Sequence, residues 1–351
     1  MQLKNYAAWI PVENAQLEVG LAPFPRCGDD ELVIKNHVVA INPVDWKIQA
    51  SGGFNLTYPA ILGSDVAGEV LSVGKKLKKK FAVGDRVISH ALGLGNGPAY
   101  GGFQFYPILS AATTSLIPDD VPFKEAAVLP LSISTAAAGL FMNANLGLNF
   151  PKADSNLGRP FTNTKDTSTL LLWGGSSSVG SSVIQFAAAA GYAVIATASP
   201  ANYEYCKTLG ATYILDYHNP DIIPILISVL KGTNVAGAYD SIGSDTTVRQ
   251  CASVLHALGG GKIASVVSSP EDLYGDVTVA RIGSTGIVSQ EPEVAKMIWG
   301  RYVPWALKNK KFVPSPKALI AGKGLDDIQK GLDRQKQGVS ASKVEILLDD
   351  E

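Results

Sequence analysis

Residues 170–180, Leu-Leu-Leu-Trp-Gly-Gly-Ser-Ser-Ser-Val-Gly, decide the fold of this 351-residue chain. A short apolar run typical of a buried strand leads directly into glycines and serines, and a helical pattern continues to Ala190. Loops that bind dinucleotides need a tight turn at such a junction, because the backbone must approach a pyrophosphate closely. The full fingerprint would place glycines at positions 175, 177 and 180, but position 177 is a serine. The loop therefore indicates a nucleotide site only together with its surroundings.

From residue 169 onward, predicted strands and helices alternate along the chain. We predict strands at 169–173, 192–198, 212–217, 235–241 and 262–267, and helices ending at 190 and spanning 201–209, 222–230 and 246–258. The strands are apolar and the connections are short, as in βαβ units. This pattern predicts an α/β fold with a doubly wound parallel sheet that is covered by helices on both faces.

The remainder of the chain predicts a second, β-rich domain. Its expected elements are strands at 31–41, 61–73 and 83–89, a glycine-rich loop at 93–102, a helical segment at 123–140, a long loop at 143–169, a helix at 294–308 and a strand at 342–348. The tail is expected to fold back onto the first domain. We therefore predict domains of residues 1–134 with 295–351, and of residues 135–294.

Composition narrows the function classes. The chain has 30 basic and 31 acidic residues, so its formal charge is −1, which disfavours nucleic acid and anionic membrane as partners. The three cysteines are too far apart in sequence for a Cys-x-x-Cys metal clip, and no disulfide framework follows from them. The N-terminus lacks the apolar core of a signal peptide. We expect a cytoplasmic protein without a metal site, and the sequence contains neither a serine-hydrolase elbow nor a P-loop.

The end of the second predicted strand bears on the choice of cofactor. Proteins that bind NAD carry an acidic residue about 20 positions after the loop, where it holds the ribose 2′-hydroxyl. Here that position falls on Ser199, and no acidic residue stands beside it in sequence. A carboxylate would repel a 2′-phosphate, whereas a hydroxyl can bind one, so we predict NADPH over NADH. Alternatively, Ser199 only caps a helix that begins at Ala201.

Three further motifs carry a family resemblance. Residues 41–47 (Ile-Asn-Pro-Val-Asp-Trp-Lys), 62–70 (Leu-Gly-Ser-Asp-Val-Ala-Gly-Glu-Val) and 84–87 (Gly-Asp-Arg-Val) resemble the medium-chain dehydrogenase/reductases over essentially the whole chain. Zinc-dependent members carry Cys where Asn42 stands and His-Glu where Ser64 and Asp65 stand. The chain thus resembles the zinc-free branch, which contains quinone oxidoreductases and enoyl reductases, and is similar within it to fungal stand-alone trans-enoyl reductases of polyketide pathways.

The resemblance implies a Rossmann domain, a GroES-like domain and a set of site residues. It implies that Lys47 and Asn42 are catalytic and that the cofactor is NADPH. The implied cofactor contacts are Val44, Asp45, Lys47, Thr135, Ser176, Ser177, Ser178, Val179, Gly180, Ser199, Pro200, Ala201, Asn202, Tyr217, Ile242, Gly243, Ser342 and Lys343. Two alternatives stay open: Asp45 only orders its turn, and Lys343 is a surface lysine.

The predicted function is NADPH-dependent reduction of an activated C=C bond in an enoyl or other α,β-unsaturated carbonyl compound. The substrate is a small molecule or is bound to a carrier, with a polyketide synthase as a candidate partner. Lys47 is expected to stabilise the charge that develops on the carbonyl oxygen. The alternatives are an NADPH quinone oxidoreductase and a non-catalytic NADPH-binding protein.

Overall fold

The computed structural model describes residues 3–53, 56–152 and 168–349. The chain divides into two compact units: unit 1 is Met1–Leu131 with Trp299–Glu351, and unit 2 is Ser132–Ile298. Most of the long loop predicted at 143–169 lies outside the described residues. No helix in the described part of the chain has the length and apolar character needed to cross a bilayer.

The strands, in chain order, are β1 Asn5–Ile10, β2 Glu18–Ala22, β3 Glu31–Ala40, β4 Ala60–Ile61, β5 Asp65–Val73, β6 Arg86–His90, β7 Ile108–Ser110, β8 Thr114–Leu116, β9 Ser168–Trp173, β10 Ala193–Ala198, β11 Tyr213–Asp216, β12 Asn234–Asp240, β13 Gly261–Ser265, β14 Val277–Arg281, β15 Lys317–Lys323 and β16 Ser342–Leu347.

The α-helices, in chain order, are α1 Pro43–Ser51, α2 Gly93–Asn96, α3 Phe123–Ala126, α4 Pro130–Phe141, α5 Ser178–Ala189, α6 Tyr203–Thr208, α7 Ile222–Leu230, α8 Asp245–Ala257, α9 Gly286–Ser289, α10 Pro292–Met297, α11 Val303–Lys308 and α12 Ile328–Lys336.

Unit 2 is built on one parallel sheet. Its strand order is β11-β10-β9-β12-β13-β14, and every neighbouring pair is parallel. From β9 the chain adds β10 and β11 on one side, and it then returns to the other side of β9 to add β12, β13 and β14. Open α/β sheets bind their ligands at such a switch point, here between β9 and β12. The predicted α/β class and the doubly wound parallel sheet are confirmed. Its apolar core includes Leu171, Trp173, Ile195 and Leu226, and each such side chain contributes about 1.5–3 kcal/mol on burial.

Unit 1 is β-rich, as predicted. One sheet has the order β15-β16-β3-β5-β6-β8, with β7 also pairing with β3, and a smaller sheet has the order β2-β1-β4. Strand β16, near the end of the chain, pairs antiparallel with β3. Ala40, the last residue of β3, faces Asp65 on β5 and Glu345 on β16. This register brings the end of β3, the start of β5 and the start of β16 together.

Several predicted elements differ from the structure; the helix predicted at 294–308, for example, is α10 and α11 with a π-helical segment between them. The strand predicted at 61–73 is interrupted after Ile61, where Gly63 has a φ of +93° that an extended strand does not allow. The helical segment predicted at 123–140 is two helices, and Pro130 begins the second one. The loop predicted at 93–102 contains the short helix α2, although Leu94 and Gly95 within it have non-helical backbone angles.

Candidate functional site

The loop after β9 is the centre of the candidate nucleotide site in unit 2. A Cβ atom at Gly180 would collide with the carbonyl oxygen of Gly174, and one at Gly174 would collide with the Ile242 side chain. Gly180 therefore allows helix α5 to begin close to the end of β9, and Gly174, with a φ of +87°, allows the chain to turn beside the Ile242 side chain. This is the cradle that a bound pyrophosphate requires, together with the N–H groups and the dipole at the start of α5.

Ser177 has a structural task that the fingerprint did not predict. It is the N-cap of α5, and its Oγ accepts a hydrogen bond of 2.9 Å from the Gly180 N–H. The same hydroxyl lies 3.0 Å from Ser241 Oγ, which also donates to the Trp173 and Gly174 carbonyls. The serine at the position of the missing glycine thus ties the loop after β9 to the end of β12. Phosphate contacts of residues 176–180 stay a prediction.

The end of β10 joins this loop through one amide. Asn202 Nδ2 donates to Ser199 Oγ at 3.1 Å and to Ser176 Oγ at 3.3 Å. The structure therefore brings together three residues that the sequence placed around the cofactor phosphates. The alternative for Ser199 is wrong: its side chain makes no cap hydrogen bond, residues 200–202 form a 3₁₀ turn, and α6 begins at Tyr203 and not at Ala201.

An acidic residue lies next to the end of β10, although none stands beside Ser199 in the sequence. Asp216 ends β11 and pairs in register with Ala198 of β10, directly before Ser199. Its carboxylate accepts a hydrogen bond of 3.0 Å from the His218 N–H, which holds its pKa below the ordinary value, and the His218 ring lies 2.8 Å away. Asp216 is absent from the second strand and its neighbouring residues in sequence, and the pairing of β10 with β11 brings it there. Tyr217, a predicted phosphate contact, follows it with 44% of its surface exposed.

Asp240 shapes the loop that carries two other predicted contacts, Ile242 and Gly243. Its buried carboxylate accepts from both of their N–H groups and from the hydroxyls of Thr247 and Ser265. Burial raises the pKa of Asp240, while these hydrogen bonds oppose the increase. The sequence offered no sign of this role. Another predicted contact, Thr135 on α4, is buried, and its carbonyl accepts from the Tyr239 hydroxyl at 2.8 Å.

Helix α1 of unit 1 carries the predicted catalytic lysine. Pro43 is its first residue and Asn42 its N-cap, and the Asn42 N–H donates to Asp45 Oδ2 at 2.7 Å. The Asp45 carboxyl therefore orders the first turn, which is the alternative that the sequence left open, and its cofactor contact stays a prediction. Burial raises the pKa of Asp45 to about 7. Lys47 is exposed on α1, with Nζ 5.7 Å from the Trp46 ring centroid.

A buried polar network lies beside the start of α1. Lys343 Nζ is 2.7 Å from Asp65 Oδ2 and 2.5 Å from Asn42 Oδ1, and Asn42 Nδ2 donates to Asp65 Oδ2 at 2.7 Å. The other Asp65 oxygen accepts from the N–H of Leu131, the last residue of unit 1. Lys343 is 3% exposed and Asp65 is 0% exposed. The surface-lysine alternative for Lys343 is therefore wrong, because its ammonium is buried and paired within unit 1, and its cofactor contact stays a prediction.

Two more polar residues complete this cluster. His90 faces Asp65 across the β5–β6 pair, and its Nδ1 has no hydrogen-bond partner among the described residues. Burial lowers the pKa of His90 to about 4, so the ring is neutral at pH 7. Ser64 is buried next to Asp65. Ser342, another predicted cofactor contact, donates to the Ser340 carbonyl at 3.0 Å. Residues 42, 65, 90 and 343 thus lie together in unit 1 although the sequence separates them widely.

Comparisons with known proteins identify a family domain in each of the two units. Residues 28–119 match the alcohol dehydrogenase GroES-like domain, and residues 178–306 match the zinc-binding dehydrogenase family. The dehydrogenase pigH of Monascus ruber is 39% identical, with 98% of this chain and 99% of that protein covered. The trans-enoyl reductase himH of Aspergillus japonicus is 37% identical, with 98% and 97% covered.

The chain belongs to the medium-chain dehydrogenase/reductase family. The resemblance to trans-enoyl reductases and the expected GroES-like and Rossmann domains are confirmed. A solved alcohol dehydrogenase superfamily protein from Novosphingobium aromaticivorans shares the fold, with a TM-score of 0.79 and 22% identity over 98% of this chain and 100% of that chain. The protein is accordingly an oxidoreductase of this family.

The zinc-binding dehydrogenase family, which residues 178–306 match, implies a zinc ion. The side chains at the positions of the zinc ligands decide whether this chain can hold that ion. The positions of the zinc ligands hold an amide, a hydroxyl and a carboxylate, Asn42, Ser64 and Asp65, and the amide and carboxylate bind the Lys343 ammonium. In the described residues no group of three or more His, Cys, Asp or Glu side chains is arranged to hold a metal ion. A second cation beside Lys343 would be repelled, so these residues do not fit zinc.

Proposed function

We propose that this family member is an NADPH-dependent reductase of C=C bonds activated by a carbonyl group, with enoyl thioesters as the substrate class. The buried contact of Lys343 with Asp65 and Asn42 carries the proposal, because it replaces the donor set that would hold a Lewis-acidic metal. An α,β-unsaturated carbonyl compound needs no such metal, since its own oxygen accepts the charge that develops on hydride addition. The identity of 37% to a protein named as a trans-enoyl reductase supports the same substrate class.

NADPH fits the residues of unit 2. The glycine cradle at positions 174 and 180 and the start of α5 suit a pyrophosphate. Ser199 and Asn202 supply hydroxyl and amide groups for a 2′-phosphate, with Tyr217 beside them as implied by the resemblance. The bound nicotinamide would supply a hydride to the substrate β-carbon.

Lys47 is our candidate for stabilising the negative charge on the substrate carbonyl oxygen. Its ammonium lies on the exposed face of α1, and the first turn of that helix is held by Asn42 and Asp45. A charged donor that is held in place before the reaction stabilises developing charge without reorganisation at the moment of hydride transfer. The ribose hydroxyl of the cofactor is the alternative donor.

We further propose that the enoyl group reaches the protein as a small thioester or on the carrier domain of a polyketide synthase, and that the reaction takes place in the cytoplasm. These two points rest on the resemblance to stand-alone trans-enoyl reductases and on the sparse cysteines of the sequence.

The experiment supplies NADPH deuterated at the transferable position to the purified chain together with one of three acceptors: a short trans-enoyl thioester, its saturated analogue as the control, and a benzoquinone. We expect NADPH to be consumed with the enoyl thioester, and mass spectrometry to place one deuterium on the β-carbon of the saturated product. Turnover of the quinone alone would instead identify a quinone oxidoreductase. Tight NADPH binding without turnover of the thioester, free or carrier-bound, would identify a non-catalytic binding protein.

A further inference from the structure

A positive charge is built into the interior of unit 1 at the positions of the zinc ligands. The register of the large sheet places it there: Ala40 of β3 pairs with both Asp65 and Glu345, Asn42 follows β3, and Lys343 precedes Glu345 by two residues on β16. Three segments remote in sequence thus deliver an amide, a carboxylate and an ammonium to one point. Sheet pairing brings these three groups together.

Both oxygens of the Asp65 carboxylate accept hydrogen bonds. One Asp65 oxygen receives the Lys343 ammonium and the Asn42 amide, and the other receives the Leu131 N–H. A buried ion pair offsets the cost of desolvation only when further hydrogen bonds satisfy its remaining groups, as happens here. His90 faces Asp65 across the β5–β6 pair.

We propose that the Lys343 ammonium takes the place of the catalytic zinc ion in this chain and acts as a positioning residue for α1. Lys343 and a zinc ion then exclude each other, because two cations cannot share the Asp65 carboxylate in a buried site. By holding the Asn42 side chain, Lys343 fixes the N-cap of α1 and therefore the helix that carries Lys47. The exclusion of zinc is independent of the proposed function, whereas the positioning of Lys47 rests on it.

The first experiment measures zinc and needs no activity. The triple variant Asn42→Cys, Ser64→His and Asp65→Glu introduces the residues that zinc-dependent members carry, and a quadruple variant adds Lys343→Ala. After dialysis against zinc, elemental analysis should find close to one zinc per chain in the quadruple variant and far less in the triple variant and the native chain. Equal zinc in the triple and quadruple variants would overturn the proposal, and so would a folded quadruple variant without zinc. Circular dichroism establishes that each variant is folded.

The second experiment tests the ion pair and the positioning role. Lys343→Met and Asp65→Asn should each lower the melting temperature strongly, whereas the double variant should recover much of the loss because no unpaired charge remains buried. Lys343→Arg should retain more activity than Lys343→Met. Lys317→Met, on the neighbouring strand β15 and exposed, is the matched control and should change neither property.

The stabilised double variant separates positioning from stability. If Lys343 positions α1, the double variant should keep a kcat about tenfold or more below the native value, with the KM for NADPH nearly unchanged. Recovery of full kcat in the double variant would overturn the positioning role. Additive losses of stability in the cycle would overturn the direct pairing. Because neither the zinc content nor the melting temperature depends on turnover, failure of the proposed enoyl reduction would leave those two results interpretable.

Discussion

Ser177 Oγ and Ser241 Oγ lie 3.0 Å apart and connect the loop after β9 with the end of β12, the two strands that flank the reversal of strand order. Ser177 also caps α5 through the Gly180 N–H. The serine that interrupts the glycine fingerprint therefore stabilises the loop whose shape the fingerprint describes.

Ser177 should separate the stability of the loop from its affinity for phosphate. Ser177→Ala removes the cap and should lower the free energy of unfolding by about 1 kcal/mol, measured by denaturant titration. Ser177→Asp keeps a good N-cap, so it should be nearly as stable as the native chain, but its charge should weaken NADPH binding in a fluorescence titration. Ser289→Ala, at an exposed helical serine, is the control. Unchanged NADPH affinity in Ser177→Asp would place the phosphates elsewhere.

Cofactor choice should depend on residues 199 and 216. We expect NADPH to bind at least ten times more tightly than NADH, a difference of about 1.4 kcal/mol. Ser199→Asp should reduce or reverse this preference, because a carboxylate repels the 2′-phosphate. Asp216→Asn should tighten NADPH binding by about two- to fivefold, since a partly exposed charge acts through screened electrostatics, and should leave NADH binding unchanged. Equal dissociation constants of the native protein for the two cofactors would contradict the assignment of Ser199.

Lys47→Ala should reveal how Lys47 acts. If the ammonium stabilises the charge on the carbonyl oxygen, kcat should fall by roughly ten- to a thousandfold, as when a donor to a developing oxyanion is lost. If it orients the cofactor instead, the KM for NADPH should rise and kcat should be spared. Lys336→Ala is a close control, because Lys336 Nζ lies 6.0 Å from the same Trp46 ring and is also exposed. If Lys47→Ala and Lys336→Ala have the same kinetic constants, Lys47 does not belong to the site.

Asp45 should make stability depend on pH in the direction opposite to most carboxylates. Its pKa is raised to about 7 in the folded chain, chiefly by burial, with the Asp65 charge adding to the increase and the Lys343 charge opposing it. The folded chain therefore holds this proton more tightly than the unfolded chain. Its contribution to stability is fully present below about pH 4 and is lost as the pH rises through about 7, and it amounts to about 4 kcal/mol.

Asp45→Asn removes this titration. We compare the two chains by urea unfolding between about pH 4.5 and about pH 7.5, a range that spans most of the titration. As the pH rises, the free energy of unfolding of Asp45→Asn should increase relative to that of the native chain. Asp326→Asn, at an exposed carboxylate in unit 1, is the control and should show no such trend. A difference between Asp45→Asn and the native chain that is independent of pH would contradict the raised pKa.

Much of unit 2 was predictable because its signals are local. The helix predicted at 222–230 matches α7, and the other predicted strands and helices of the sheet end within a few residues of the observed ones, whereas the sixth strand, β14, was not predicted. Apolar runs, helix periodicity and glycines act within a few residues of chain, so they survive without tertiary context. The break at Ile61 and the separate helix from Pro130 were missed, because one glycine and one proline redirect the backbone within a pattern that reads as continuous.

The sequence by itself determined the α/β class, the nucleotide-type loop, the family and the set of residues around Ser176, Ser199 and Asn202. Only the tertiary structure decided that Asp216 lies beside Ala198, that Asp240 meets Ser265, and that Lys343 meets Asp65 and Asn42. The physical reason is that these contacts are created by strand pairing between segments far apart in the chain. A lysine near the C-terminus carries no local sign of burial, and its partners exist only once β16 has joined β3.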